Sequence, residues 1–416
     1  MTIRINADLL IPGRGEPITD GAVVIDGSTI AYAGPASDAP DTPDAEVGDV
    51  PTVLPGLWEC HGHFIGERSP DPEMWAKGSP VTRTARAVAD VSRTLDGGIT
   101  SVRELGGLGL MMQPAIADGS MRGPTIYGAG DVLSTTGGHG DTHAFPLDWV
   151  QSGSGFGVLC DGVPECLKAV RLQLRGGARV IKVCASGGVI SEVDDPIHQQ
   201  FSGEELHAIV AEAGRAERVV AAHCHGKAGI MAALDAGVKT IEHGSYLDEE
   251  AALLMIERDA ILVPTRSIVA QLPEMEDILP RYAYEKGVAI ADRHAEALKI
   301  AIAAGVTIAM GTDFFISGDA YGRNSLEIRH LQDAGMSALE AIEAATATGP
   351  LTLGPQAPAS GQLVAGYDAD VIAIDFNPLA DNTGWGDRDR VTHVWKSGHP
   401  VKQPAMTSPA FVIRNT

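Results

Sequence analysis

Leu54-Pro-Gly-Leu-Trp-Glu-Cys-His-Gly-His-Phe64 is the stretch at which the chain changes character. Before it, Ile3–Ile5, Leu9–Ile11, Ala22–Ile25 and Thr29–Ala33 are brief apolar runs cut by Asn, Asp, Gly and Pro, the pattern of a small β module. Pro35–Asp49, rich in Pro and Asp, reads as an exposed loop. From Val53 onward, apolar β-branched runs alternate with helical patterns. The runs are Thr52–Leu54, Ile99–Arg103, Thr125–Ala129, Val180–Val183, Val219–Ala222, Lys239–Ile241, Ile261–Pro264 and Thr307–Met310. Between them, Glu204–Arg218, Ala228–Ala236, Glu249–Arg258 and Ala289–Ala304 carry apolar residues at three- and four-residue spacing. Near-continuous apolar strands joined by helices indicate a parallel sheet. Eight such units over roughly 290 residues fit a closed (β/α)8 barrel of the TIM type better than an open sheet.

After about residue 355 the β-module character returns. Gly361–Asp375 reads as two short strands around a turn, and Val391–Lys396 as another. The expected organisation is therefore a barrel over 55–354, beside a small discontinuous β-sandwich built from 1–54 and 355–416. The class is α/β.

Composition sets outer limits on function. The 416 residues are 44% hydrophobic, with 49 Gly and 25 Pro, as expected of a turn-rich globular protein. No run of about 18 apolar residues predicts a membrane span, and Met1–Asp8 lacks the layout of a signal peptide. Five cysteines without a Cys-x-x-Cys pair suit reduced thiols and a cytoplasmic location. A formal charge of −23 argues against nucleic acid or anionic lipid as partner.

Chemistry gathers at strand ends. His61 and His63 point to one side of an extended segment and can share an ion, with Gly62 between them leaving room for close approach. His223 and His225 end the fifth run, His243 the sixth and Asp313 the eighth. Reactive residues of such barrels lie on the rim formed by these strand ends. Each has a plainer reading, a hydrogen-bonded rim histidine or, for Asp313, a helix cap. Lys182 is the exception, because a charged amine inside an apolar strand costs several kcal/mol unless paired or neutralised. Cys60 and Cys224 should point away from the histidines and pack.

On these residues the chain resembles the amidohydrolase superfamily along essentially its whole length. The superfamily pattern is His-x-His on strand one, a carboxylated Lys on strand four, His on strands five and six, and Asp on strand eight. It is matched by His61, His63, Lys182, His223, His243 and Asp313. The segments Ser134-Thr-Thr-Gly-Gly-His-Gly-Asp, Ile181-Lys-Val-Cys-Ala-Ser-Gly-Gly-Val, Asp195-Pro-Ile-His-Gln-Gln-Phe-Ser, Ile241-Glu-His-Gly and Val263-Pro-Thr resemble the prolidase-like branch. That branch holds dipeptidases and N-acyl-amino-acid hydrolases, including one that hydrolyses ochratoxin.

The resemblance implies two divalent metal ions, Zn²⁺ first, with Mn²⁺, Co²⁺ or Fe²⁺ as alternatives. It implies Lys182 N-carboxylated by CO2 and bridging them, with His61, His63 and Asp313 on one ion and His223 and His243 on the other. Attack of a metal-bridging hydroxide on the amide of a dipeptide or N-acyl amino acid follows, with Asp313 as proton carrier. His139 is expected to meet the substrate carbonyl or carboxylate. His225 departs from the Tyr that some prolidase-like dipeptidases carry there, and stands as a substrate contact. Arg266, just past strand seven, offers a charge for a carboxylate or is a surface residue, and Tyr246 is a further candidate. The partner is a small-molecule amide, and the branch implies a homo-oligomer. A cyclic-amide hydrolase of the imidazolonepropionase type is the alternative within the superfamily, but it works without the lysine. A non-catalytic metal-binding scaffold is the alternative outside it.

Overall fold

The computed structural model describes residues 2–154 and 157–404. Its strands are β1 (Thr2–Leu10), β2 (Ile18–Asp26), β3 (Thr29–Pro35), β4 (Glu46–Pro55), β5 (Leu57–Gly62), β6 (Ile99–Glu104), β7 (Thr125–Gly128) and β8 (Val132–Ser134). There follow β9 (Gly157–Leu159), β10 (Ile181–Cys184), β11 (Val220–Cys224), β12 (Thr240–His243), β13 (Ile261–Val263), β14 (Val371–Ile374), β15 (Val391–Lys396) and β16 (His399–Lys402).

The two ends of the chain meet in one seven-stranded sheet, in the order β16-β15-β14-β4-β1-β2-β3. β4 lies at its centre, parallel to β1 and antiparallel to β14, with Leu54 opposite Ile372. Alternation along β1 buries Ile3, Ile5, Ala7 and Leu10 against Val23, Ile25, Val53 and Trp395, a core separate from that of the barrel.

The barrel comprises parallel β5-β6-β7 and parallel β13-β12-β11-β10-β8, with β9 beyond β8. β7 and β8 form one interrupted stave: Arg179 N donates to Gly128 O at 2.9 Å, and Leu133 faces Val183 of β10. The eighth stave is Thr307–Met310. It bridges the open edges through Ala309 N to Leu262 O and Cys60 N to Met310 O, both 2.9 Å. The expected barrel architecture therefore holds. Helices on its outside start where local chemistry directs. Gly203–Gly214 opens on a capping box between Ser202 and Glu205, then buries Leu206, Ile209 and Ala213.

Three local readings change. The first stave is β5, not Thr52–Leu54, which belongs to β4. The loop from Pro35 ends at Ala45, because β4 already runs from Glu46. Gly361–Asp375 supplies one strand, β14, instead of two, its first half being turns that bond back to Ser28 and Ile30. Of the expected 355–416 segment, 405–416 lies outside the described residues. No helix among the described residues is long and apolar enough to cross a membrane.

Candidate active site

β5, β10, β11 and β12 deliver His61, Lys182, His223 and His243 to one end of the barrel, as parallel strands entering a common rim must. His63 and His225 lie two residues beyond His61 and His223 and face the same way. Asp313 follows the eighth stave, held by its N–H to His61 O at 2.9 Å. All seven line one cavity of about 150 Å³, together with His139.

The donors fall into two groups, His61/His63/Asp313 and His223/His225/His243, each with its ligating atoms within 4.8 Å of one another. Asp313 Oδ1 is 3.1 Å from His63 Nε2 and 3.4 Å from His61 Nε2. The two groups touch through His61 and His243, whose ring centres are 5.0 Å apart. Lys182 Nζ stands 3.4 Å from His61 Nε2.

Each ring has one nitrogen tied into the fold. His61 Nδ1 donates to Glu242 Oε2 at 2.8 Å, His63 Nδ1 to Gly106 O at 2.7 Å, and His223 Nε2 to Gly187 O at 3.0 Å. An imidazole that donates from one nitrogen carries its lone pair on the other. His61 Nε2, His63 Nε2 and His223 Nδ1 are thereby set as acceptors of a cation. His225 Nδ1 meets Ser245 Oγ and His243 Nδ1 meets Thr265 Oγ1, each at 2.7 Å, and in the tautomer in which the ring donates and the hydroxyl accepts, Nε2 is left for the same use.

Burial keeps five rings of the cavity neutral. It lowers His61 and His139 to about 4 and His225 to about 3, and holds His223 and His243 well below the histidine range. Burial also depresses the Lys182 amine, against the pull of Glu242. For Asp313 burial acts upward, yet His61 and His63 outweigh it and hold the carboxyl below its ordinary value. Neutral imidazoles, an ionised carboxylate and a weakened amine are the protonation states a divalent ion requires. On this donor chemistry the residues fit the expected metal pair. Two of them, His243 at φ 70° and Asp313 at φ 58°, hold left-handed backbone, as does Thr265 beside them at φ 53°. Such conformations persist only where surrounding structure over-determines them.

Beneath the donors lies a network that the sequence reading misses. Arg103 and Glu242 come from opposite staves, β6 and β12, and meet inside the barrel, both fully buried. Arg103 Nη2 donates to both Glu242 oxygens at 2.8 and 2.9 Å, Nη1 to Thr240 Oγ1 at 2.8 Å, and Nε to Cys60 O. Burial acts to raise the Glu242 carboxyl, but Arg103 and His61 bring it to about 2. Glu59 similarly receives His61 N, Thr312 N and Thr312 Oγ1. The signal was present, since Arg103 and Glu242 are charges inside apolar strands just as Lys182 is. Arg103→Leu is expected to cost about 3–5 kcal/mol, the penalty for stranding a buried carboxylate. Chemical denaturation measures it, and a loss below about 1 kcal/mol would show that Glu242 does not depend on Arg103.

The remaining expectations divide. His139 reaches the cavity. Its ring lies 4.2 Å from that of His223 in a near-parallel stack, and its Nδ1 bonds Ser191 Oγ at 2.8 Å. Gly188 permits this approach, since a Cβ there would lie 2.0 Å from His139 Nδ1. Arg266 and Tyr246 do not line the cavity. Arg266 opens the helix Arg266–Gln271 and turns its guanidinium outward to Ala291 O at 3.0 Å. Tyr246 lies under Arg293, 5.7 Å from its ring centre. Cys60 and Cys224 pack in apolar clusters, as alternation implies. Gly62 makes room for the neighbouring strand rather than for an ion: a Cβ there would meet Val102 Cγ1 at 2.9 Å. Beyond the donors the cavity lining is mostly apolar, with Ile65, Trp75, Ile268, Leu272, Tyr282 and Phe315, and Asp141, Thr142, His143 and Glu192 also face it.

A profile described as the amidohydrolase family matches residues 52–401. Ochratoxinase of Aspergillus niger is 45% identical over 421 aligned residues, covering 97% of this chain and 87% of that protein. The crystal structure of A. niger ochratoxinase aligns with a TM-score of 0.90 at 44% identity, over 97% of this chain and 96% of that one. A Xaa-Pro dipeptidase with methionine bound in its active site aligns with a TM-score of 0.88 at 31% identity, over 97% and 100% of the two chains.

Proposed function

The chain belongs to the amidohydrolase family and is a hydrolase of amide bonds, and from that premise we propose that it cleaves dipeptides or N-acyl amino acids at a pair of divalent ions. Ochratoxin A is one amide of this class. The observation that carries the reading is the pair of facing donor groups around Lys182 at the floor of a cavity with a mostly apolar lining beyond them. His61, His63 and Asp313 would hold one ion, and His223 and His243 the other, with oxygen and nitrogen donors that suit Zn²⁺, Mn²⁺, Co²⁺ or Fe²⁺. Lys182 supports the pair through its weakened basicity. Its neutral amine would add to CO2, forming an N–C bond and giving one proton to solvent, and the anionic side chain would then join the histidines and Asp313 in holding the pair.

When bound, such a pair supplies an acidified water and a polarised carbonyl. The chain's own residues do the rest. Asp313 takes the proton of the attacking water on its carboxylate and passes it to the leaving amine nitrogen. His139 and His225 are assigned to the substrate side, where their rings orient the carbonyl or carboxylate, His225 taking this role although its ring stands among the donors with His223 and His243. The apolar part of the lining keeps bulk water from the reacting bond and receives the flanking groups of the substrate.

The test is a panel of Xaa-Pro, Xaa-Arg, Xaa-Lys and Xaa-Phe dipeptides, N-acyl amino acids and ochratoxin A, offered to metal-loaded enzyme. About two metal equivalents per chain are expected, with hydrolysis of at least one class and its loss on chelation. Hydrolysis of none of these amides overturns the proposal.

A further inference from the structure

We infer that Lys286 is a positioning residue that aligns His139 and His223 from a distance, resting on the proposed role of those two rings. The loop after β10, residues 185–195, touches both. Its Gly187 carbonyl accepts the Nε2–H of His223, and its Ser191 hydroxyl meets His139 Nδ1. The loop has no strand or helix of its own. Its base is tied by Gly187 N to His198 O and Gln200 N to Ala185 O, both at 3.0 Å, and its far part is held from the helix Arg281–Ala304, which follows β13 and belongs to the other side of the barrel.

From that helix Lys286 reaches in with little exposure. Its ammonium donates to Ser191 O at 2.7 Å, Gly188 O at 3.3 Å and Asp194 O, with the Asp194 carboxylate at 3.6 Å. An ammonium carries three donors and no acceptor, and three carbonyls converge on this one. The loop curls around a fixed cation. Asp194 extends the tie: its Oδ2 accepts Gly188 N and Gln200 Nε2, while Gln200 Oε1 accepts His139 N. Both the side chain and the backbone of His139 are thus referred to the same point. Partners that orient a ligand ring typically change metal affinity or activity 10–100-fold when removed.

Lys286→Ala separates this role from general stability, because the vacated site keeps three carbonyl oxygens and a carboxylate that suit a small monovalent cation. Lys286→Ala is expected to lower kcat about 10–100-fold with KM changed by no more than about threefold. Ammonium chloride should restore at least about tenfold of that loss in the variant and leave the wild type unaffected. Lys286→Arg, which keeps charge and donors, should stay within about fivefold of wild type. A second readout needs neither substrate nor metal: in protein labelled with ¹⁵N-histidine, the protected Nε2–H of His223 should be lost in Lys286→Ala and return with ammonium. Wild-type hydrolysis tests the proposed function, whereas the ratio of variant to wild type and the imidazole spectrum test the inference. A kcat within twofold of wild type, a loss that ammonium does not touch, or an unchanged His223 signal overturns it.

Discussion

Replacing Asp313 by asparagine is expected to cut turnover by about a thousandfold or more while leaving the fold in place. The residue sits at φ 58°, a conformation that penalises most side chains but that Asn tolerates about as well as Asp. The backbone bond to His61 O involves only the main chain and survives. What disappears is a carboxylate 3.1 Å from His63 Nε2 and 3.4 Å from His61 Nε2 that can both carry charge and accept a proton. An amide of the same shape does neither. The comparison is between kcat of the two proteins at equal metal content, with a melting curve as the control. A variant within tenfold of wild type would remove Asp313 from the role of proton carrier.

The second large effect has two signs. Lys182→Met should abolish hydrolysis, by about a thousandfold or more, equal to about 4 kcal/mol of transition-state stabilisation. It should also make the metal-free protein more stable, by about 1 kcal/mol or more. Lys182 is 3% exposed and belongs to a four-residue strand whose other members are Ile181, Val183 and Cys184. Burial already weakens its amine, and a thioether of similar length fills the same space without that cost. Glu242 would not be stranded, since Arg103 and His61 still bind both of its oxygens. Denaturant unfolding of the metal-free variant beside the wild type checks the stability arm. Unchanged activity would mean that this amine has no part in the chemistry, and a large loss of stability would mean that it is a structural ion pair.

Lys182 also shows what makes a site legible from sequence. A charge that apolar neighbours cannot explain stands out in a one-dimensional reading, and so do histidines spaced by two at strand ends. The same reading fails where polar residues satisfy one another across long separations. A search for apolar runs misses β5 because Glu59 and His61 break its apolar signature. Their partners, Thr312 and Glu242, lie far along the chain, so nothing local shows that these polar side chains are buried. Thr52–Leu54, apolar and adjacent, has more of a barrel strand's composition than the barrel strand itself. Arg266 illustrates the opposite error. It stands in the right place in the sequence, but Thr265 in left-handed backbone starts a helix there and swings the guanidinium away from the cavity. Ser191 and Lys286 cannot be found by motif, because their contacts join one loop to a distant helix, and Gln200 lies inside a quoted motif that gives no sign of its bond to His139 N.

The central position of β4 has a consequence for how the protein is made. One edge of β4 pairs with β1 soon after both leave the ribosome, but the other waits for β14, roughly 320 residues later. At about 5–20 residues per second, that interval is on the order of 15–60 s. Throughout it the nascent chain presents an open, apolar strand edge with Val53 and Leu54 in it, directly ahead of the first barrel stave, and such an edge is a template for pairing with another chain. A strand synthesised late, β14, is therefore the one that closes a liability opened by an early one.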